Sequence, residues 1–236
     1  MKNNFTIEEV AKFWDDVSDI YDGINEDIGS SHYQRFVESL KYLELKNADK
    51  VLNIWSRTGN AIKYLKKEVE IDLYNLEVSP KMMKIASDKF PKDYFQLTDL
   101  KKTNFPNDFF DSIISLETLE HAPEPQIFLN ELFRILKPGG RLVMSLPPQT
   151  AEIPLRIYDT FFDNHGEGPH QFIPSKKVKI MLSNVGFELI LHKGTLLIPA
   201  GPAIIQRMGE KIIEKLQNTP IKELGIRQFY VCRKPK

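Results

Sequence analysis

FFDSIISLETLEHAPEPQIFLNELFRILKPGGRLVMSLP, residues 109–147, changes its hydrophobic period twice. Phe110–Leu116 is a short apolar run of strand length. Pro125–Leu136 carries apolar residues at helical spacing behind a proline suited to a first helical turn, and Gly140–Leu146 is again a short apolar run, entered through Gly139-Gly140. Strand, helix and strand in that order, without a hairpin-length connection, read as a βαβ unit with parallel strands and a helix covering one face.

The same alternation extends outward. Upstream lie strand Lys50–Trp55, helix Ala61–Glu68, strand Ile71–Val78, helix Pro80–Lys89 and strand Tyr94–Thr98. Downstream lie helix Ser175–Asn184 closed by Gly186, strand Phe187–Leu191, helix Ala203–Gln217 and strand Gln228–Arg233. Segments 7–20 and 31–43 read as amphipathic helices behind the caps Thr6 and Ser31. Turn chemistry at Tyr21-Asp22-Gly23 and Gly29-Ser30-Ser31 separates them. Residues 149–174, which hold Tyr158, Phe161, Phe162, His165 and His170, fit neither period at a length unusual for a structureless loop, so they are expected to form an inserted cap. The expectation is one doubly wound α/β domain over 1–236 with a mostly parallel seven-stranded sheet, an N-terminal helical flap (1–45), the cap and an appended helix (203–217).

Composition narrows the partners. Thirty-two Lys and Arg balance 32 Asp and Glu, for a net charge of zero, so the general attraction of a basic protein for phosphate backbones is missing and nucleic acid is not expected. Cys232 is the sole cysteine, so no intramolecular disulfide forms, as suits a reducing compartment. Met1–Trp14 lacks the apolar core of a signal peptide, and no stretch approaches the roughly 20 apolar residues that span a bilayer. A cytoplasmic protein without a membrane partner is expected.

In an open parallel sheet, ligands bind beyond the carboxyl ends of the strands, where strand order reverses. Three strand ends carry suitable chemistry. Thr58-Gly59-Asn60 opens a helix whose free N–H groups suit an anion; Glu77 ends the second strand, where an acid takes two ribose hydroxyls; Asp99 follows the third and could accept from an exocyclic amine. His121 after the fourth strand and His170 in the cap are candidate bases, since imidazole titrates near pH 6.5.

The order of Glu77, Asp99, Phe110-Asp111, Leu119-Glu120-His121 and Leu136-Lys137-Pro138-Gly139-Gly140-Arg141-Leu142 resembles that of class I S-adenosylmethionine-dependent methyltransferases, over most of residues 33–190. The resemblance implies S-adenosylmethionine as cofactor, with Glu77 on the ribose and Asp99 on the adenine. It implies methyl transfer to an oxygen or nitrogen of a small molecule, with His121 or His170 as base. Asn53, Trp55, Arg57, Gly59 and Glu117 fall on further cofactor-side positions. A homodimer or pairing with a related methyltransferase is the protein partner expected.

Two departures matter. The family's first motif reads V-L-D-x-G-x-G-x-G, whereas this chain has Val51-Leu52-Asn53-Ile54-Trp55-Ser56-Arg57-Thr58-Gly59, keeping only the last glycine. Either the loop is rebuilt around the cofactor, with Arg57 clamping a carboxylate, or the indole fills the pocket. The second case favours an alternative function, a methyltransferase-like protein that has lost its cofactor and serves as a binding or scaffold partner; a third option is a changed reaction in the same pocket. Glu117, Glu120, His121 and His170 also spell a Glu-x-x-Glu-His pattern that resembles metal-binding relatives in ubiquinone and small-RNA methylation, but no metal is expected here.

Overall fold

The computed structural model describes residues 5–27, 29–67, 69–99, 101–152, 166, 168–199 and 201–236. Seven strands form one sheet in the order β3-β2-β1-β4-β5-β7-β6. They are β1 (Lys50–Ile54), β2 (Asp72–Glu77), β3 (Tyr94–Leu97), β4 (Phe110–Leu116), β5 (Leu136–Leu146), β6 (Glu188–Thr195) and β7 (Arg227–Arg233). β1 to β5 run parallel, and β7 pairs antiparallel with both β5 and β6. The order reverses between β1 and β4. Their carboxyl ends, Trp55 onward and Glu117 onward, therefore open on one crevice.

The helices are α1 (Ile7–Asp16), α2 (Tyr21–Asp27), α3 (Gly29–Leu43), α4 (Ile62–Leu65), α5 (Pro80–Lys89), α6 (Pro125–Ile135), α7 (Ser175–Val185) and α8 (Ala203–Lys215). Buried side chains split into two layers, one on each sheet face. Val10 and Trp14 of α1 join Ile54, Phe110, Leu132 and Tyr230 in one, and Phe36, Leu43, Ile62 and Phe229 lie in the other. Among the described residues no helix is long and apolar enough to cross a membrane.

Five details differ from the sequence expectation, the first being that the helix read over 31–43 behind a Ser31 cap starts at Gly29, within the expected turn. The first helix ends at Asp16, and Tyr21–Asp27, read as turn, is a second helix. Buried Tyr21 anchors it, and Asn25 Nδ2 donates to the Tyr21 carbonyl, so Asp22-Gly23 turn chemistry is overridden by tertiary packing. The helix read over 61–68 is a single turn, α4. β5 starts four residues early because Leu136 pairs with Phe110 before a register shift. β6 runs to Thr195, since β7 supplies a partner for its whole length. Most of the expected cap, 153–165 with Tyr158, Phe161, Phe162 and His165, lies outside the described residues. Helix α8 buries Gly209 and Ile213 while Ile204, Ile205, Met208 and Ile212 face outward.

Candidate functional site

The loop after β1 has an unusual backbone. Trp55, Arg57 and Gly59 have φ of 49°, 52° and 84°, so each adopts the left-handed conformation that costs an ordinary L-residue roughly 1–2 kcal/mol. These are the three positions at which the motif would carry glycine. The loop has the backbone of a glycine-rich turn with one glycine in it. Gly59 alone had to stay, because a Cβ there would lie 2.9 Å from the ring of Phe90.

Glu77 holds this loop in place. Its Oε2 accepts from the Arg57 N–H at 2.6 Å, and its Oε1 accepts from Val78 and Ser79 N–H groups at 2.9 and 3.1 Å. Arg57 folds back so that Nη1 stands 3.5 Å from Glu77 Oε1. The guanidinium lies 3.7 Å from the ring centre of Trp14 in α1 and 5.0 Å from that of Trp55. Glu77 is fully covered, and Arg57, Trp55 and Trp14 are 8%, 3% and 4% exposed. Burial holds the Arg57 pKa below its ordinary value, opposed by the charge of Glu77. Arg57 Nη1 and Trp55 Nε1 are buried without a hydrogen-bond acceptor.

His121 sits against this cluster, its ring 5.6 Å from Trp14 and 5.9 Å from Trp55. It ends a 3-10 turn, Leu119–His121, that follows Glu117 at φ 53°. Its Nδ1 is 2.9 Å from the Pro169 carbonyl, so Nδ1 carries the proton of the neutral ring. Burial, and then the nearby charge of Arg57, push its pKa down to about 3. His170 lies 6.1 Å from His121, ring to ring, with Nδ1 2.7 Å from the Gly168 carbonyl. Its segment is stitched to the 3-10 turn by the Gln171 N–H on the Glu120 carbonyl at 2.9 Å.

The helices ahead of the sheet are bonded to the same loop. Asp15 of α1 accepts from the Ser79 hydroxyl and from Lys81 N–H at 3.0 Å, at the start of α5. Asp22 of α2 accepts from Thr58 Oγ1 at 2.6 Å and Asn60 Nδ2 at 3.1 Å, and pairs with Lys89.

Thus Trp55, Arg57, Gly59, Glu77 and His121 come together, with His170 at the margin. Asp99 is exposed and bends back to accept from Lys101 N–H at 3.0 Å. It borders an open groove of about 340 Å³ with Ile7, Ala11 and Leu97, beside the filled loop. Two expected cofactor-side residues are engaged elsewhere. Asn53 spends its amide on Asn75 Oδ1 at 3.0 Å, across the β1–β2 pair, because its side chain leaves the sheet within the strand and not at the strand end. Glu117 accepts from Ser145 at 2.7 Å and Arg227 at 2.9 Å. Burial raises its pKa, but Arg227, Arg35 and Ser145 outweigh this and hold the carboxylate below its usual range. Among the described residues no group of three or more His, Cys, Asp or Glu is arranged to hold a metal ion. Sequence reading missed Trp14, Asp15 and Asp22; only the helical spacing of Phe13, Trp14 and Val17 was visible, and that pattern speaks for burial, not for a site.

Residues 52–144 match the model of a methyltransferase domain. The 2-methyl-6-phytyl-1,4-hydroquinone methyltransferase of a Synechocystis strain is 32% identical over 98 residues, covering 40% of this chain and 31% of that protein. Among solved structures, the partner of the Haloferax volcanii Trm112 methyltransferase activator superposes with a TM-score of 0.74 at 19% identity, over 94% of this chain and 98% of that one. The [4+2]-cyclase SpnF superposes at 0.70 with 16% identity, over 98% of this chain and 97% of its own. Residues 52–144 thus match a methyltransferase domain, and the sheet order is that of the Rossmann-like class I methyltransferase fold. The chain spans only about a third of its Synechocystis relative.

Proposed function

We propose that the protein transfers a methyl group from S-adenosylmethionine to an oxygen or nitrogen of a small molecule. The observation that carries this reading is the pairing of an acid at the end of β2, Glu77, with a loop left-handed at 55, 57 and 59. Such a loop costs stability and has no evident structural benefit, which is the pattern expected of a ligand-binding turn.

The chemistry of the residues fits the cofactor. Glu77 would take the ribose hydroxyls, Asp99 the adenine amine, and the N–H groups leading into Gly59 the amino-acid end. In the present conformation Arg57, Trp14 and Trp55 take up the space over Glu77, so this fit requires them to move. When bound, the cofactor supplies a methyl group already activated on a sulfonium. The protein then has chiefly to align the nucleophile and exclude water. His121, neutral and tied through Nδ1–H to Pro169, keeps Nε2 as its basic nitrogen. Its low pKa makes it a weak base while buried, so a role in proton removal also requires the cluster to open. His170 is the other candidate.

The small-molecule reading draws on the hydroquinone named for the Synechocystis relative, a name that gives the substrate and not the atom methylated. A second reading rests on the filled loop: a methyltransferase-like chain that binds partners without the cofactor. SpnF, with a similar fold, is named for a cyclisation, so fold alone does not choose. Calorimetric titration with S-adenosylmethionine and S-adenosylhomocysteine decides: saturable one-to-one binding is the expected result, and no heat with either the wild type or a variant with glycines at 55 and 57 would establish the second reading instead.

A further inference from the structure

We infer that α1 is a plug, with Trp14 and Arg57 forming a stacked pair that competes with the cofactor for the face of Glu77; this rests on the function proposed above. The pair joins two distant parts of the chain. Trp14 arrives on α1 and packs its ring 3.7 Å from the guanidinium carbon of Arg57, whose Nη1 leans on Glu77 Oε1 at 3.5 Å. Both are at least nine-tenths buried, and Glu77 is wholly buried beneath them. Because Glu77 is the acid that would meet the ribose, whatever covers Glu77 excludes the ligand.

The closed state holds unspent interactions that release would recover. Arg57 Nη1 and Trp55 Nε1 are buried donors without an acceptor. Arg57 and Trp55 also sit in a left-handed backbone that strains any residue other than glycine. Polar contacts around the plug hold it shut from the side. Asp15 is bonded to Ser79 and Lys81, and Asp22 to Thr58, Asn60 and Lys89, all exchangeable for water if the two helices lift. Gly168, bonded through its carbonyl to His170, packs on the ring of Phe13, where a Cβ would come within 2.4 Å. Movement of α1 is therefore felt by the segment that carries His170. Filling and emptying the cofactor space is coupled to the histidine side of the crevice.

The chain contains two tryptophans, Trp14 and Trp55, and both belong to this cluster. Tryptophan fluorescence of the unmodified chain therefore reports on this cluster alone. On saturation with S-adenosylhomocysteine, emission should shift to the red and quenching by acrylamide should rise severalfold as Trp14 leaves its buried site. Calorimetry should show Trp14→Ala and, separately, Arg57→Gln binding S-adenosylhomocysteine at least tenfold more tightly than wild type. Asp15→Asn keeps the aromatic packing and loosens only the latch, so it should gain a few-fold in affinity and guards against a Trp14 variant that fails to fold. S-adenosylhomocysteine binding with unchanged or weaker affinity in these variants, and with Trp14 still shielded from acrylamide, would overturn the plug and leave the proposed function standing. Absence of binding to every form, wild type and variants alike, would overturn both.

Discussion

Two sites where the backbone favours glycine differ in what occupies them. The bulge at Lys137-Pro138-Gly139-Gly140 within β5 has both glycines, and the geometry says why: a Cβ on Gly140 would lie 2.8 Å from the Lys137 carbonyl oxygen and 2.9 Å from that of Asp111, while Gly139 has φ 82°. There Gly140 makes room for the protein's own backbone, and Gly139 supplies a left-handed residue. In the loop after β1, two of three glycine positions hold Trp55 and Arg57, yet their φ values remain left-handed. The side chains extend into a hollow, not into backbone. A glycine whose Cβ would strike main chain is required by the fold; Trp55 and Arg57 meet side chains instead, and under the proposed function the space they take is the ligand's.

The largest effect expected is on acidification, and it sets the filled crevice beside the far edge of the sheet. His121 in the crevice and His192, stacked on Tyr230 4.7 Å away, both have pKa values pushed down to about 3, chiefly by burial. Above the unfolded value near 6.5 both states carry them neutral. Below it the unfolded chain takes up protons that the folded chain refuses, so stability falls as pH drops from about 6.5 toward 3, at about 1.4 kcal/mol per pH unit for each group. Denaturant melts at stepped pH should show this slope; His121→Asn should remove its share only if His121 is buried as described.

Next comes Glu77→Ala, which leaves three loop N–H groups and the Arg57 charge without their partner and should cost about 3–5 kcal/mol. Glu77→Gln should cost less, since one amide oxygen still accepts. Urea midpoints check both, and a neutral Glu77→Ala would mean that the acid does not hold the loop.

The two sites can then be compared directly. Gly140→Ala should lose about 2–3 kcal/mol, because two of its three nearest atoms, the carbonyl oxygens of Lys137 and Asp111, belong to backbone that cannot easily yield. Trp55→Gly loses a buried indole worth about 3–5 kcal/mol but relieves about 1–2 kcal/mol of left-handed strain, for a net cost of about 2 kcal/mol. Arg57→Gly should be smallest, about 1–2 kcal/mol: Glu77 loses its counter-charge and Trp14 its stacked guanidinium, but Glu77 keeps three N–H donors and the left-handed strain is relieved. A cost above 3 kcal/mol for Arg57→Gly would mean that the arginine is a pillar of the fold and not a filler of the hollow.

Much of this was legible in the sequence. Alternating period placed all seven strands near their observed positions, since strand burial and helix amphipathicity are local properties of the chain. Glu77 and Asp99 were legible as strand-end acids by their spacing. Asp99 is nonetheless exposed beside a groove, and Glu77 is sealed, a difference no spacing predicts. That difference comes from Trp14, whose ring reaches Arg57 from 43 positions earlier in the chain; such a contact is set by how α1 docks, not by any local pattern. Helix α2 was hidden for a related reason, because Asp22-Gly23 reads as turn until Tyr21 finds a buried site. Nor does sequence disclose that Trp55 and Arg57 keep a glycine-like backbone, since propensity argues against it at both positions.

The central claim is that the loop after β1 retains the shape of a ligand turn and is filled by its own side chains. The most direct test is the dissociation constant of S-adenosylhomocysteine for the wild type and for the Trp55→Gly, Arg57→Gly double variant, by calorimetry in one buffer at one temperature. The account predicts that the double variant, though less stable, binds more tightly, because the hollow is emptied while the backbone that faces the ligand is unchanged. A wild type that binds more tightly than the double variant would contradict it, and would mean that the indole and guanidinium are themselves part of a rebuilt cofactor site.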